Sequence, residues 1–263
     1  MKIAWSIAGS DSGGGAGVQA DIHTFHDFGL HGATVVTCVT AQNSVALTDL
    51  HVVPTATVRA QIQALADDLP PDAIKIGALG SAGNAAAVID FLRGFAHHDQ
   101  RPFVVWDPVR QASVGGELGT LPDETTRALL QAVDAVTPNL EELAALASHE
   151  TGRPPLAAAV IRDRGPRCVY ITGGHGDTPG TDFWSSDTKA FLIQSDTISG
   201  NGAHGGGCSL SSALAAARVR EDEDSAPVLA HMYVRQGLRA LGAGDAPGHG
   251  RPALPHLGWP RQF

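Results

Sequence analysis

The sequence predicts an α/β fold: a mostly parallel central sheet with helices on both faces and a late antiparallel hairpin. Short apolar runs rich in β-branched residues alternate with longer Ala- and Leu-rich segments of helical period, the pattern of βαβ units. Near the end, residues 182–185 and 190–193 flank Ser-Asp-Thr-Lys, which reads as a hairpin that turns the sheet antiparallel. A length of 263 residues and a hydrophobic fraction of 43% suit one domain, 1–263, with a sizeable core.

Strands are expected at 3–8, 34–39, 73–76, 103–106, 135–137 and 168–171, besides the hairpin. Helices are expected at 15–28, 57–66, 82–95, 123–133, 140–147, 156–163, 208–218 and 226–241. Residues 242–263 are rich in Gly and Pro and are expected as a tail over the surface.

The ends of these elements carry the chemistry. After the first strand comes Ala8-Gly-Ser-Asp-Ser-Gly-Gly-Gly-Ala-Gly17, a strand-to-helix turn whose glycines admit a ligand to the helix N-terminus. Gly9 and Gly13 have the wrong spacing for a dinucleotide fingerprint, so a ligand loop competes with a plain tight turn. Asp21 follows about one helical turn after Gly17, placed to meet a ring N–H or to sit as an exposed, dipole-favoured acid. The second strand leads into Val39-Thr-Ala-Gln-Asn43, where Gln42 both donates and accepts hydrogen bonds. Asp107 ends the run Val104-Val-Trp, and the following proline stops further pairing; it caps a turn or holds a Mg²⁺-bound water. Asn139 and Glu142 have the spacing of a capping box, with or without a second role. Ile171-Thr-Gly-Gly-His175 is another strand end, whose glycines leave room for an adenine ring or phosphates, a weak signal alone.

The strongest feature is Asn201-Gly-Ala-His-Gly-Gly-Gly-Cys208, running into an Ala-rich helix. Such a junction aims unpaired amides at one point and favours negative charge there. It also predicts a lowered pKa for the Cys208 thiol. Oriented amides beside an activatable side chain are what phosphoryl transfer to an alcohol requires, and no Walker A lysine follows the glycines.

Bulk composition excludes other classes. A net charge of −9 with three lysines (Lys2, Lys75, Lys189) argues against nucleic acid or an anionic membrane as partner. No run reaches the roughly 18 to 20 apolar residues that span a bilayer. Cys38, Cys168 and Cys208 form no pair, and the first eight residues are too short for a signal core, so a reducing cytoplasm is expected. Twelve histidines show no zinc spacing, and there is no serine-hydrolase elbow.

Taken together, these motifs resemble the ribokinase-like superfamily, and within it the hydroxymethylpyrimidine/phosphomethylpyrimidine kinases of thiamine biosynthesis. The resemblance runs from Ile7 to Cys208 through Thr40-Ala-Gln-Asn43, Lys75-Ile-Gly77, Asp107-Pro-Val109, Thr137-Pro-Asn139 and Gly173-Gly-His175, in the family's order. It implies a three-layer sandwich that phosphorylates a pyrimidine alcohol and then its monophosphate with ATP and Mg²⁺. Gly9, Ala16, Asp21, Gln42, Ala78 and Val109 would surround the pyrimidine. Cys208 would be the base, and the amides of Gly205, Gly206, Gly207 and Cys208 the anion hole. Asn139, Thr172 and Gly174 would border the nucleotide, with Asp107 and Glu142 holding the metal through water. A monovalent cation and a homodimer also belong to the expectation.

Several positions depart from the family pattern. Gly206 replaces threonine, Ala78 and Arg110 replace methionines, and Thr172 replaces a lysine. The lysine of Ala-Lys-Ser-Gly is missing from Ala112-Ser-Val-Gly115. The larger pocket at Ala78 makes pyridoxal kinase activity the runner-up. The lost lysines motivate a further reading, a weak relative that binds the pyrimidine without turning it over. A Rossmann-type oxidoreductase would need an acidic residue at the end of the second strand, where Cys38-Val-Thr-Ala-Gln-Asn stands.

Overall fold

The computed structural model describes residues 1–95, 101–147, 153–173, 180–198, 203–241 and 248–256. One nine-stranded sheet organises it. Its strands are β1 (Ile3–Asp11), β2 (His31–Gln42), β3 (Leu47–Val52), β4 (Ala73–Ile76), β5 (Phe103–Trp106), β6 (Ala135–Val136), β7 (Cys168–Ile171), β8 (Thr181–Ser185) and β9 (Ala190–Gln194). The order across the sheet is β3-β2-β1-β4-β5-β6-β7-β8-β9. Strands β2 to β7 in that order are parallel, whereas β3 at one edge and the β8–β9 hairpin at the other are antiparallel.

The helices are α1 (Gly17–Asp27), α2 (Thr55–Asp68), α3 (Ala82–Arg93), α4 (Asp123–Leu130), α5 (Leu140–Leu146), α6 (Pro154–Arg162), α7 (Gly206–Ala217) and α8 (Ser225–Leu241). Alternate side chains of each strand feed two cores. On one face Trp5, Ile7, Ile74, Ile76, Val104 and Trp106 pack with the apolar stripes of α2 to α6. On the other, Ala4, Ala73, Val105, Cys168 and Tyr170 meet α1, α7 and α8. Where β1, β4 and β5 present the small residues Ala4, Ala73 and Val105 on that face, the Ala-rich α7, buried nearly throughout, packs against the sheet.

Three sequence expectations change. Strand β3 was not anticipated, because this edge strand buries little and its side chains follow no clean alternation. The polar patch Val39–Asn43 lies mostly within β2, which continues to Gln42 and pairs with β3. The C-terminal segment is more than a surface tail: Leu254 is buried, and Ala253 bridges to His204. Residues 242–247 and 257–263 of that tail lie outside the described residues. Among the described residues, no helix is long and apolar enough to cross a membrane.

Sheet order reverses at β1, whose neighbours are β2 on one side and β4 on the other. Such a switch point leaves a crevice beyond the carboxyl ends of the strands, where open α/β sheets bind ligands.

Candidate active site

A cavity of about 1330 Å³ occupies that crevice. The parallel strands deliver Asp11, Gln42, Ala78, Asp107, Thr137 and Thr172 to it at or just past their carboxyl ends, and α7 enters with Gly206, Gly207 and Cys208. The cavity thus collects most of the residues singled out from sequence, including Gly9, Ala16, Val109, Asn139, Glu142 and Gly205.

Two glycine turns meet at its centre. Gly205 caps α7 in the left-handed region (φ 80°), and a Cβ there would fall 1.8 Å from the carbonyl oxygen of Gly15. Gly17, at φ 58°, starts α1 against Gly9, where a Cβ would come within 2.2 Å of the carbonyl oxygen. Only glycine allows both backbones to approach this closely. The first amides of α7, those of Gly206, Gly207 and Cys208, have no acceptor within the helix and form its positive end.

Asp11 and His204, which sequence reasoning did not single out, hold the first turn. The Asp11 carboxylate accepts hydrogen bonds from the amides of Gly13 (2.8 Å), Gly15 (3.1 Å) and Ala16 (2.9 Å). It also lies 2.7 Å from Nε2 of His204. Burial would raise its pKa, but His204 and the amides of Gly13 and Ala16 outweigh that and hold it below the ordinary carboxylate value.

Cys208 is the third residue of α7 and partly exposed, facing the cavity. Its pKa is not lowered as the helix position suggested. Burial, with Asp107 and Asp21 nearby, pushes the thiol up to about 12 despite the Lys75 ammonium and the Gly17 amide. Desolvation and two carboxylates outweigh one helix end.

Asp21 also departs from expectation. It does not line the cavity; its carboxylate is fully buried and takes hydrogen bonds from Lys75 (2.8 and 2.9 Å), Ser6 (2.5 Å) and Ser212 (2.7 Å). It is the counter-ion of Lys75, whose Nζ also lies 3.9 Å from Asp107. Four hydrogen bonds from these groups leave little capacity for a ligand. The sequence signal for this pair was Lys75 itself, a lysine in the fully buried strand Ala-Ile-Lys-Ile.

Beside the first glycine turn, the Gln42 amide nitrogen stands 3.1 Å from His204 Nε2. Cys38 places its sulfur under Gly9 and is sealed by burial, which raises its pKa.

The opposite end is oxygen-rich. Asn139 and Glu142 form the predicted capping box, Asn139 accepting from Glu142 N and Glu142 Oε2 accepting from Asn139 N, each at 2.9 Å. Burial, then the charge of Asp107, raises Glu142 to about 8. Burial also raises Asp107 to about 6 against the pull of Lys75. Thr137 Oγ1 is buried without a hydrogen-bond partner among the described residues. Carboxylate, amide and hydroxyl oxygens with unmet capacity suit a hard divalent cation held through water and phosphate. No cluster of three or more His, Cys, Asp or Glu forms a direct cage among the described residues. Thr172 borders the cavity here, whereas Gly174 lies outside the described residues. In place of the expected lysines, Arg110 lines the same end.

Comparison with known proteins agrees with this architecture. Residues 11–251 match the family described as phosphomethylpyrimidine kinase. The chain is 37% identical to the hydroxymethylpyrimidine/phosphomethylpyrimidine kinase of Synechococcus elongatus, over 96% of this chain and 98% of that protein. Its fold is similar to the crystal structure of phosphomethylpyrimidine kinase from Clostridium difficile (TM-score 0.75, 28% identity, 90% of this chain and 99% of that one). It is also similar to pyridoxal kinase from Staphylococcus aureus in complex with pyridoxal (TM-score 0.84, 25% identity, 100% of this chain and 96% of that one). The sheet is that of a ribokinase-like enzyme, and the chain belongs to the phosphomethylpyrimidine kinase family.

Proposed function

We propose that this kinase transfers the γ-phosphoryl group of ATP to the hydroxymethyl oxygen of 4-amino-5-hydroxymethyl-2-methylpyrimidine, and then phosphorylates the monophosphate, in thiamine biosynthesis. The observation that carries the reading is the meeting of Cys208 and the amides of Gly206 and Gly207 between two ends of one cavity. One end, with Gly9, Ala16, Gln42, Ala78 and Val109, suits a small polar ring; the other, with Asp107, Asn139, Glu142, Thr172 and Arg110, suits Mg²⁺ and phosphates.

The amides at the start of α7 stabilise charge developing on the transferred group. Little proton removal is needed early in a loose transition state, so positioning supplies most of the rate. A thiol raised to about 12 is neutral in the free enzyme and donates its hydrogen bond to Asp107. It therefore takes the alcohol's proton as its own passes to Asp107, and the thiol is restored. Mg²⁺, bound through water by Asp107 and Glu142, would neutralise the β- and γ-phosphates. Arg110 supplies the cationic help that the absent lysines would give. Asp21 acts through Lys75 and does not touch the ring. The monovalent cation, the homodimer and the cytoplasmic location rest in this reading on family resemblance alone.

Ala78 favours a second reading, because a small side chain beside the ring leaves room for pyridoxal. The test is product analysis with ATP, Mg²⁺ and each of three acceptors: the pyrimidine alcohol, its monophosphate and pyridoxal. Phosphorylation of both pyrimidines supports the proposal; phosphorylation of pyridoxal alone moves the assignment to the second reading.

A further inference from the structure

We infer that Ser113 is a positioning residue, latching the segment 110–118 over the cavity through His204 and Asp11. The segment is a self-contained turn: Gln111 bridges to Glu117, Leu118 N donates to Arg110 O (3.0 Å), and Ala112 N donates to Gly116 O (2.9 Å). Arg110, Ala112, Ser113 and Gly115 of this turn line the cavity, so what holds its tip bears on how the cavity is covered. The Ser113 hydroxyl meets Nδ1 of His204, and its carbonyl accepts from Arg251 (3.0 Å).

His204 is a firm anchor. The residue is buried, its amide donates to Pro252 O (2.7 Å), and its carbonyl accepts from Leu254 N (3.0 Å). On the far side of the ring, Nε2 meets the Asp11 carboxylate that gathers the amides of Gly13, Gly15 and Ala16. One chain of hydrogen bonds thus joins the lid segment to the first glycine turn, and Gly205 packs directly on Gly15.

The chemistry of the ring makes this chain directional. An ionised carboxylate only accepts, so Nε2 carries the proton, and a neutral imidazole then offers Nδ1 as an acceptor. A hydroxyl at 113 satisfies that acceptor and fixes the tautomer that Asp11 needs. Without it, Nδ1 loses its partner, and the competing tautomer, in which the Gln42 amide nitrogen 3.1 Å away donates to Nε2, gains ground and releases the carboxylate. Loss of the hydroxyl should therefore loosen the lid and also the turn at residues 13–16. The second effect is the signature of a latch.

Its use in catalysis rests on the kinase reading above. A closed lid excludes water that would otherwise accept the phosphoryl group. Opening the latch lets hydrolysis compete with transfer to the alcohol.

The test compares wild type, Ser113→Ala and the hydroxyl-retaining Ser113→Thr, as full chains. Amide hydrogen exchange without ligand should accelerate about five- to tenfold in Ser113→Ala at 111–117 and at 13–16, in line with the loss of one hydrogen bond. Ser113→Thr should exchange like wild type. Acceleration confined to 111–117, or a threonine variant that behaves like alanine, overturns the latch. With Mg·ATP and the pyrimidine alcohol, wild type should form one phosphorylated product per ADP and Ser113→Ala clearly less than one. Equal coupling in both overturns the catalytic use. A wild type that phosphorylates no alcohol sinks the kinase reading, while the exchange data still decide the latch.

Discussion

Lys75 Nζ lies 2.8 Å from Oδ1 and 2.9 Å from Oδ2 of Asp21, and both side chains are fully buried beside the cavity. Breaking such a pair leaves an uncompensated charge in the interior. Asp21→Asn and Lys75→Met should each lower unfolding free energy by about 3–5 kcal/mol in urea titrations. If Asp21 were instead a ring-binding residue, Asp21→Asn would raise the KM for pyrimidine and leave stability nearly unchanged.

Glu142 gives the fold a pH dependence. Its folded pKa of about 8 stands above the ordinary 4.5, so between these values the folded chain binds more protons than the unfolded one. Stability therefore falls as pH rises through this window, by at most about 1.4 kcal/mol per pH unit from one such group. Asp107, raised from 3.8 to about 6, acts in the same direction in the lower part. Glu142→Gln should flatten the curve between pH 6 and 8 and, between about pH 4.5 and 6, leave only the shallower slope that Asp107 contributes. Urea midpoints measured in EDTA at successive pH values check this; an unchanged slope above pH 6 would show that Glu142 is not the group.

The two glycines of the α7 cap should behave oppositely. A Cβ on Gly206 meets nothing within 4 Å, so Gly206→Thr restores the family hydroxyl with a stability change within about 1 kcal/mol. It should lower the KM for ATP. At Gly205 the left-handed backbone and the Gly15 carbonyl both resist a side chain. Gly205→Ala should cost more than about 1–3 kcal/mol. Thermal unfolding and ATP kinetics on the two variants decide.

The raised thiol makes Cys208 slow to alkylate. In the free enzyme its reaction with iodoacetamide should be slow at pH 7 and keep accelerating beyond pH 9, following a group near 12. Peptide mapping after timed labelling reads this directly. A rate that levels off near pH 7 would restore the lowered pKa expected from the helix start.

The outline of the fold was legible because its signals are local. Apolar strands and helical periods are written in consecutive residues, and the capping box of Asn139 and Glu142 needs four residues to be seen. What escaped notice depends on partners far apart in the chain. Asp21 reads as a ligand until Lys75, 54 residues later, takes its carboxylate. Asp11 and His204, 193 residues apart, look like ordinary loop residues until the sheet brings them together. The Cys208 pKa shows the same limit, since the helix end is visible in sequence while Asp21 and Asp107 around the thiol are not. Strand β3 was missed for another reason: an edge strand with no fully buried side chain has no clean apolar alternation to read.

The central claim is that Cys208, at the start of α7, takes the alcohol's proton during phosphoryl transfer. Steady-state kinetics of wild type and Cys208→Ala with Mg·ATP and the pyrimidine alcohol test it most directly. The account predicts a kcat reduced about 10²- to 10⁴-fold, with wild-type thermal stability and pyrimidine affinity. An alanine variant that turns over at the wild-type rate would contradict it.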